Sequence, residues 1–416
     1  MVTRLDRIRQ SSARRRRRAE RANYRLDIQG LRMVAVLAVL AFNLTGWPHG
    51  GFVGIDVFFV VAGFLVTESL LRAAADSGPP SLSTFFLARV RRIVPAATVV
   101  LALTVAVSAV VLPSRLGSIS VDALYSFFFL GNWRFAASGT AHTAATDTAS
   151  PLLHFWPLSI EEQFFVVWPL LIVAVAAIAI RSSWSDARRR IVIGAAAGTV
   201  VVASLAWALY ETAASPGWAR FGTFARIWEL GIGALLATAT LTLARIPDVA
   251  RPILSWLGLA LIGASLVFID GSAGFPAPWA LLPVAGTALV IAAGIGREPD
   301  LQPFLRNRVS TYLGDISYSL YLVHWPVFVL LAATKEPTLY YYASALTLTF
   351  GLALLLYHFV ESPLRDASWG RFQQARQDMK HGLHQVELST KVGVVGGLIL
   401  ITVSIISFAM SPGAIT

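Results

Sequence analysis

Residues 24–72 read YRLDIQGLRMVAVLAVLAFNLTGWPHGGFVGIDVFFVVAGFLVTESLLR. The stretch holds two apolar runs, each long enough to cross a bilayer. A turn rich in Gly and Pro, Pro48 to Gly54, separates them. The first run carries Arg32 and, eleven residues later, Asn43; Asp56 follows the turn. Ionisable groups in or beside a span are costly and therefore functional candidates. Arg32 reads either as a snorkelling anchor at the headgroups or as an anion contact at the mouth of a cavity. Eleven residues make about three helical turns and ~16 Å of rise, so Arg32 and Asn43 share one face at two depths. For Asn43 the plain reading is a helix–helix hydrogen bond.

The whole chain has the same character. Of its 416 residues, 56% are hydrophobic and 14% charged, against ~25% charged in soluble domains. The mean hydropathy is +0.65. There is no cysteine, which excludes disulfides and thiolate metal sites, and no other metal set is apparent. The hydropathy predicts eleven spans at about 31–47, 52–71, 93–112, 157–180, 191–210, 222–242, 253–269, 278–296, 311–332, 339–360 and 392–410. The segment 121–131 is too short to cross and reads as re-entrant or interfacial. The fold expected is an all-α polytopic membrane protein.

Charge placement orients it. With the N-terminus cytoplasmic, 28 of the 34 Lys and Arg fall in inner segments, four in outer ones and two, Arg32 and Arg226, within spans. That asymmetry predicts an N-in, C-out protein of a bacterial cytoplasmic membrane. It also accounts for the net charge of +11 without a nucleic acid partner. The expected organisation is a basic cytoplasmic tail over 1–29, a membrane domain over 30–366, a cytoplasmic linker over 367–391, and an eleventh span with a short external tail over 392–416. The basic run Arg14–Arg18 reads as a topogenic tail, with contact to anionic membrane lipids second. The segment 113–156 is a long outer loop containing His142 and Asp147.

Further polar groups sit where apolar ones are expected. Arg89, Arg91 and Arg92 precede the third span; they read as inner anchors or as a phosphate-binding cluster, since guanidinium forks suit phosphate. His154, Glu161 and Glu162 stand where the outer loop enters the fourth span, with the two acids placed to cap it. Arg226 and Glu229 have the i, i+3 spacing of an ion pair, either a structural lock or a pocket wall. Ser317, Tyr318, Tyr321 and His324 lie in the ninth span. His358, Glu361 and Arg365 close the tenth, expected at the inner headgroups.

Together these stretches resemble acyltransferase family 3, the integral membrane O-acyltransferases. The residues that carry the resemblance are Asp27, Gly30, Leu31 and Arg32, then Gly50, Gly51, Phe52, Gly54, Asp56, Phe58, Phe59, Gly63, Phe64 and Leu65. RVRRIVP at 89–95, LLHFWPLSIEEQF at 152–164, RIWELGIGALLA at 226–237, ISYSLYLVHWP at 316–326 and FVESPLR at 359–365 continue it in order. The resemblance covers about residues 24–366. It implies a ten-helix acyltransferase bundle, here with an eleventh transmembrane helix. It implies an acyl group, often acetyl, carried from cytoplasmic acetyl-CoA or another acyl-CoA to a hydroxyl of an envelope glycolipid or glycan. In some members the eleventh helix carries an external SGNH-type domain, which would be missing from this chain.

The family pattern places histidine at position 43 and serine at position 62, where this chain has Asn43 and Ala62. Histidine there would act as general base; asparagine cannot accept a proton. The expectation is an acyltransferase inactivated at Asn43, by engineering or by natural divergence, unless His49, His154 or Glu161 has taken over as base. On this reading Arg32, with Arg89 and Arg92, holds the donor's phosphates. Position 43 does the chemistry, Arg32 and Glu161 are assigned to catalysis with it, and Asp56, His154, Glu162, Arg226, Glu229, Tyr318 and His324 line the cavity or place the acceptor. High Ala, Val and Arg usage points to an actinobacterial envelope, with a trehalose mycolate as one acceptor. The competing classes are a glycolipid transporter or flippase, which calls for broken helices and repeat symmetry not evident in the sequence, and a non-catalytic ligand-binding membrane homologue.

Overall fold

The computed structural model describes residues 25–76, 81–139, 149–271, 274–365 and 388–410. The basic tail up to residue 24, His142 and Asp147 of the outer loop, most of the linker and the last six residues lie outside the described residues. Among the described residues there are helices and turns and no strand, as expected where hydrocarbon leaves no water to satisfy the backbone.

Each of the eleven predicted segments is helical. They are α1 (Leu26–Thr45), α2 (Gly54–Asp76), α3 (Leu82–Val111), then two short helices α4 (Leu116–Phe127) and α5 (Gly131–Ala137), followed by α6 (Trp156–Arg181) and α7 (Asp186–Ala214). The chain continues through α8 (Pro216–Phe221), α9 (Thr223–Thr238), α10 (Ala250–Phe268), α11 (Leu281–Ala293), α12 (Arg308–Asp315), α13 (Ser317–Ala332), α14 (Leu339–Leu356) and α15 (Leu388–Met410). Among the described residues seven stretches are long and apolar enough to cross a membrane, those of α1, α2, α3, α6, α7, α10 and α14, or eight if the bent pair of α12 and α13 counts as one span. Of the remaining predicted spans, α9 and α11 are shorter and the ninth is bent, while α15 has 23 residues. α11 begins three residues after Pro278 and has 13 residues, and α9 has 16 and carries Arg226 and Glu229. The segment 121–131 falls on α4 and the turn after it, where Phe129 has a positive φ.

The predicted ninth span is not one rod. α12 and α13 meet at Ile316 with a bend of 65°. Asn307 starts α12, its side chain accepting from the Ser310 N–H at 2.8 Å. Gly314 then passes so close to α1 that a Cβ there would meet the Gln29 carbonyl oxygen at 2.1 Å. That contact holds the end of α12 against α1, and α13 leaves in a new direction with Ser317 and Tyr318 in its first turn.

Small residues set the other tight crossings, as expected where lipid removes the hydrophobic drive between helices. Gly63 of α2 faces the Leu230 carbonyl of α9, and Gly233 of α9 faces the Val60 carbonyl of α2; added Cβ atoms would meet these oxygens at 2.0 and 2.1 Å. α14 and α15 cross through Gly351 and Gly397, and the Ser344 and Ser404 hydroxyls each donate to the other residue's carbonyl, at 3.4 and 3.1 Å. At the foot of α14 a π turn, Tyr357–Glu361, turns Glu361 inward and buries it.

Candidate active site

α1, α2, α3, α6 and α13 enclose a cavity of about 120 Å³. One wall is apolar, with Phe58, Ala62 and Phe165 among its residues; the other presents Arg32, Arg92, Ser317 and Tyr318. The Arg32 Nη1 donates to Gln29 Oε1, one turn earlier, at 3.0 Å. Among the described residues neither Arg32 nor Arg92 forms an ion pair. Glu361 is the buried acid whose charge acts on both, and it is committed to the Ser319 hydroxyl, which donates to it at 2.7 Å. The Ser317 hydroxyl is buried beside the cavity with no hydrogen-bond partner. The cavity thus offers two guanidinium groups, an unused hydroxyl and the N-terminal turn of α13, the end of a helix that favours anions.

Arg89 also reaches this cavity but is already engaged. Its Nε lies 2.8 and 3.0 Å from the two Glu162 carboxylate oxygens, and its Nη2 donates to Glu162 at 2.7 Å and to Glu161 at 2.9 Å. The guanidinium stacks 3.5 Å from the centre of the Phe165 ring. The two acids do not cap α6, which starts at Trp156; they fasten α6 to α3 through Arg89. Of the three arginines expected to meet phosphate, Arg32 gives one N–H to Gln29 and, like Arg92, pairs with no carboxylate among the described residues, whereas Arg89 spends its donors on carboxylates.

The far end of α1 builds a different cluster. Asn43, half-buried two residues before the helix ends, places its Nδ2 2.9 Å from His324 Nε2. His324 Nδ1 lies 2.6 Å from the Tyr321 carbonyl one turn earlier. A ring nitrogen facing a carbonyl must carry the proton, so His324 is the Nδ1–H tautomer and its Nε2 accepts from Asn43. The His154 ring centre is 5.6 Å from that of His324. His154 Nε2 donates to the Leu322 carbonyl at 2.9 Å, which leaves Nδ1 as a buried lone pair without a partner. The Tyr321 hydroxyl donates to the His154 carbonyl at 2.7 Å while its ring lines the cavity. Tyr321 is therefore the wall shared by the cavity and the Asn43 cluster.

Asp56, Arg226 and Glu229 form a third cluster. Arg226 Nη2 donates to Asp56 at 2.8 Å and to Glu229 at 3.2 Å. All three side chains are 0–1% exposed. Phe59, Trp156 and Phe275 surround the guanidinium, their ring centres 5.2–5.5 Å away. The i, i+3 pair is present as its spacing indicates, and Asp56 joins it from 170 positions away. None of the three is among the lining residues of the cavity; their ion pairs join α2 to α9.

The structure thus brings Arg32, Arg92, Arg89, Glu161 and Tyr318 to one cavity, places Asn43, His324 and His154 together behind Tyr321, and sets Asp56, Arg226 and Glu229 apart. Three contributors, Ser317, Tyr321 and Glu361, were noted in the sequence but given no role in the site. Ser317 and Tyr321 belong to the ISYSLYLVHWP stretch, where their spacing from Tyr318 was the available signal. Glu361 was expected at the headgroups because it follows the last apolar residue of its span; the π turn buries it within the protein. Among the described residues no group of acids and histidines is arranged to hold a metal ion.

Residues 25–358 match the acyltransferase domain family. The chain is 30% identical over 362 residues to the Bacillus subtilis protein YrhL, provisionally named a peptidoglycan O-acetyltransferase, an alignment taking in 83% of this chain and 56% of that one. It is 30% identical over 353 residues to the peptidoglycan O-acetyltransferase OatA of Listeria monocytogenes, covering 82% of this chain and 55% of OatA. The chain spans about half the length of these curated relatives. No solved structure matches it significantly. The family match runs through every helix that lines the cavity and through both partners of the Asn43–His324 contact, and the chain belongs to acyltransferase family 3.

Proposed function

We propose that this chain is the membrane portion of an O-acyltransferase. It moves an acyl group, acetyl in the simplest case, from a cytoplasmic acyl-CoA to a hydroxyl on an envelope glycan. Arg32, Arg92 and the first turn of α13 hold the donor's phosphates at the cytoplasmic side, and the apolar wall takes the thioester arm. Position 43 faces the acceptor hydroxyl. The two relatives named for peptidoglycan favour a glycan acceptor over a glycolipid such as a trehalose mycolate. The observation that carries this reading is α1 itself, one continuous helix that holds Arg32 in the cavity and Asn43 against His324.

Asn43 supplies a hydrogen bond and no proton acceptor, so transfer by this chain is expected to be slow. Of the other bases weighed, Glu161 is held by Arg89 and His49 is exposed; His154, with its free Nδ1, is the one left. A non-catalytic role, binding the donor without turning it over, is favoured by the same Asn43. The bend at Ile316 supplies the broken helix that a transporter calls for, which removes one of the grounds against that class; family membership favours transfer. The test is to purify the chain and its Asn43→His variant, supply radiolabelled acetyl-CoA with peptidoglycan fragments or envelope lipids, and follow the label. Transfer that rises with Asn43→His supports the reading, and no transfer by that variant removes it.

A further inference from the structure

We infer that His324 is a positioning residue that fixes the orientation of whatever side chain stands at position 43; the inference rests on the reading of that position as the catalytic one. The argument starts from the His324 ring. Its Nδ1 proton is taken by the Tyr321 main-chain carbonyl at 2.6 Å, within the same helix. A main-chain carbonyl cannot rotate away, so the tautomer is fixed by the fold of α13. The Nε2 lone pair is then directed at position 43, where it meets the Asn43 amide at 2.9 Å. The rings of His154, Tyr321 and Phe328, with centres 5.3–5.6 Å away, hold the imidazole in place, and among the described residues no carboxylate contacts it.

The Nδ2 of asparagine and the Nδ1 of histidine both stand two bonds beyond Cβ. A histidine at position 43 in the same rotamer donates its Nδ1–H to His324 Nε2 and leaves its own Nε2 bare. That nitrogen takes the proton from the acceptor hydroxyl as the oxygen bonds to the thioester carbonyl carbon. When the carbon–sulfur bond breaks, the same proton goes to the departing thiolate. The second imidazole never carries the transferred proton. It has the orienting role that a carboxylate plays in other base–orienter pairs, without adding a buried charge.

Two measurements test this. In the chain as it stands, uniformly ¹⁵N-labelled at histidine and assigned with His324→Gln, the His324 resonances should report an Nδ1–H tautomer with a hydrogen-bonded Nε2, and Asn43→Ala should move the Nε2 resonance. A His324 ring protonated on Nε2 alone, or one insensitive to Asn43→Ala, overturns the inference. In the Asn43→His background, His324→Phe should lower kcat about ten- to a hundredfold with KM for acetyl-CoA unchanged, the scale of losing an orienting partner, and His324→Gln, which keeps an acceptor oxygen, should recover part of it. Equal kcat with and without His324, in protein of unchanged melting temperature, also overturns it. If Asn43→His transfers no label, the catalytic reading of position 43 falls, and the spectra still decide whether His324 orients that position.

Discussion

Arg89 and Glu162, 73 positions apart, form a two-point clamp in which both carboxylate oxygens lie within 3.0 Å of Nε. Both side chains are at most 15% exposed, so neither can fall back on water. Arg89→Ala would leave two half-buried acids facing each other and should destabilise the fold by about 3–5 kcal/mol. Glu162→Gln, which leaves Glu161 on Arg89, should cost less. Thermal melts in one detergent give the comparison; equal melting temperatures for Arg89→Ala and the parent would refute the clamp.

The lock at Arg226 should show a different asymmetry. One guanidinium faces two carboxyls, so Arg226→Met orphans two buried acids, and loss of folded protein on size exclusion is the expected result. Glu229→Gln reduces the excess of negative charge and retains a hydrogen-bonding group, so it should fold with a melting temperature close to the parent's.

Arg32 and Arg92 should separate binding from stability. Neither holds an ion pair among the described residues, so alanine at either position orphans no carboxylate partner there and the melting temperature should stay nearly constant. If they meet the donor's phosphates, each substitution should weaken CoA binding about tenfold, the value of one charge-assisted hydrogen bond. Calorimetry on the chain with Asn43 in place reads this directly, since binding needs no turnover. Unchanged affinity in both variants would move the donor elsewhere.

The α2–α9 crossing should be intolerant of a single methyl. Gly63→Ala puts a carbon 2.0 Å from a main-chain oxygen, and neither backbone can yield without moving a helix. A loss of about 1–3 kcal/mol is expected, visible as a lower melting temperature. Ala at Gly263, where a Cβ would meet nothing within 4 Å, is the control.

The sequence disclosed what depends on local order. Apolar runs gave the eleven helical segments, and the three-residue spacing gave the Arg226–Glu229 pair. The spacing of Arg32 and Asn43 gave their places toward the two ends of one helix. What stayed hidden depends on approach between distant segments. Asp56 meets Arg226 across 170 positions, and Arg89 meets its acids across 72 and 73. The break at Ile316 has no proline to announce it; it follows from Gly314 lying against α1. The burial of Glu361 was not legible because hydropathy marks where a span ends and says nothing of a π turn that redirects the last side chain.

α1 also behaves as a ruler. Arg32 and Asn43 are graduations on one unbroken helix, so their spacing has no adjustable joint. Inserting one alanine between them would lengthen the interval by only about 1.5 Å but would turn one end by about 100° relative to the other. Arg32 could then keep its cavity, or residue 43 its histidine, and not both. On the proposed reading, donor and acceptor would have to fit that one fixed interval, with whatever flexibility the reaction needs supplied by the substrates.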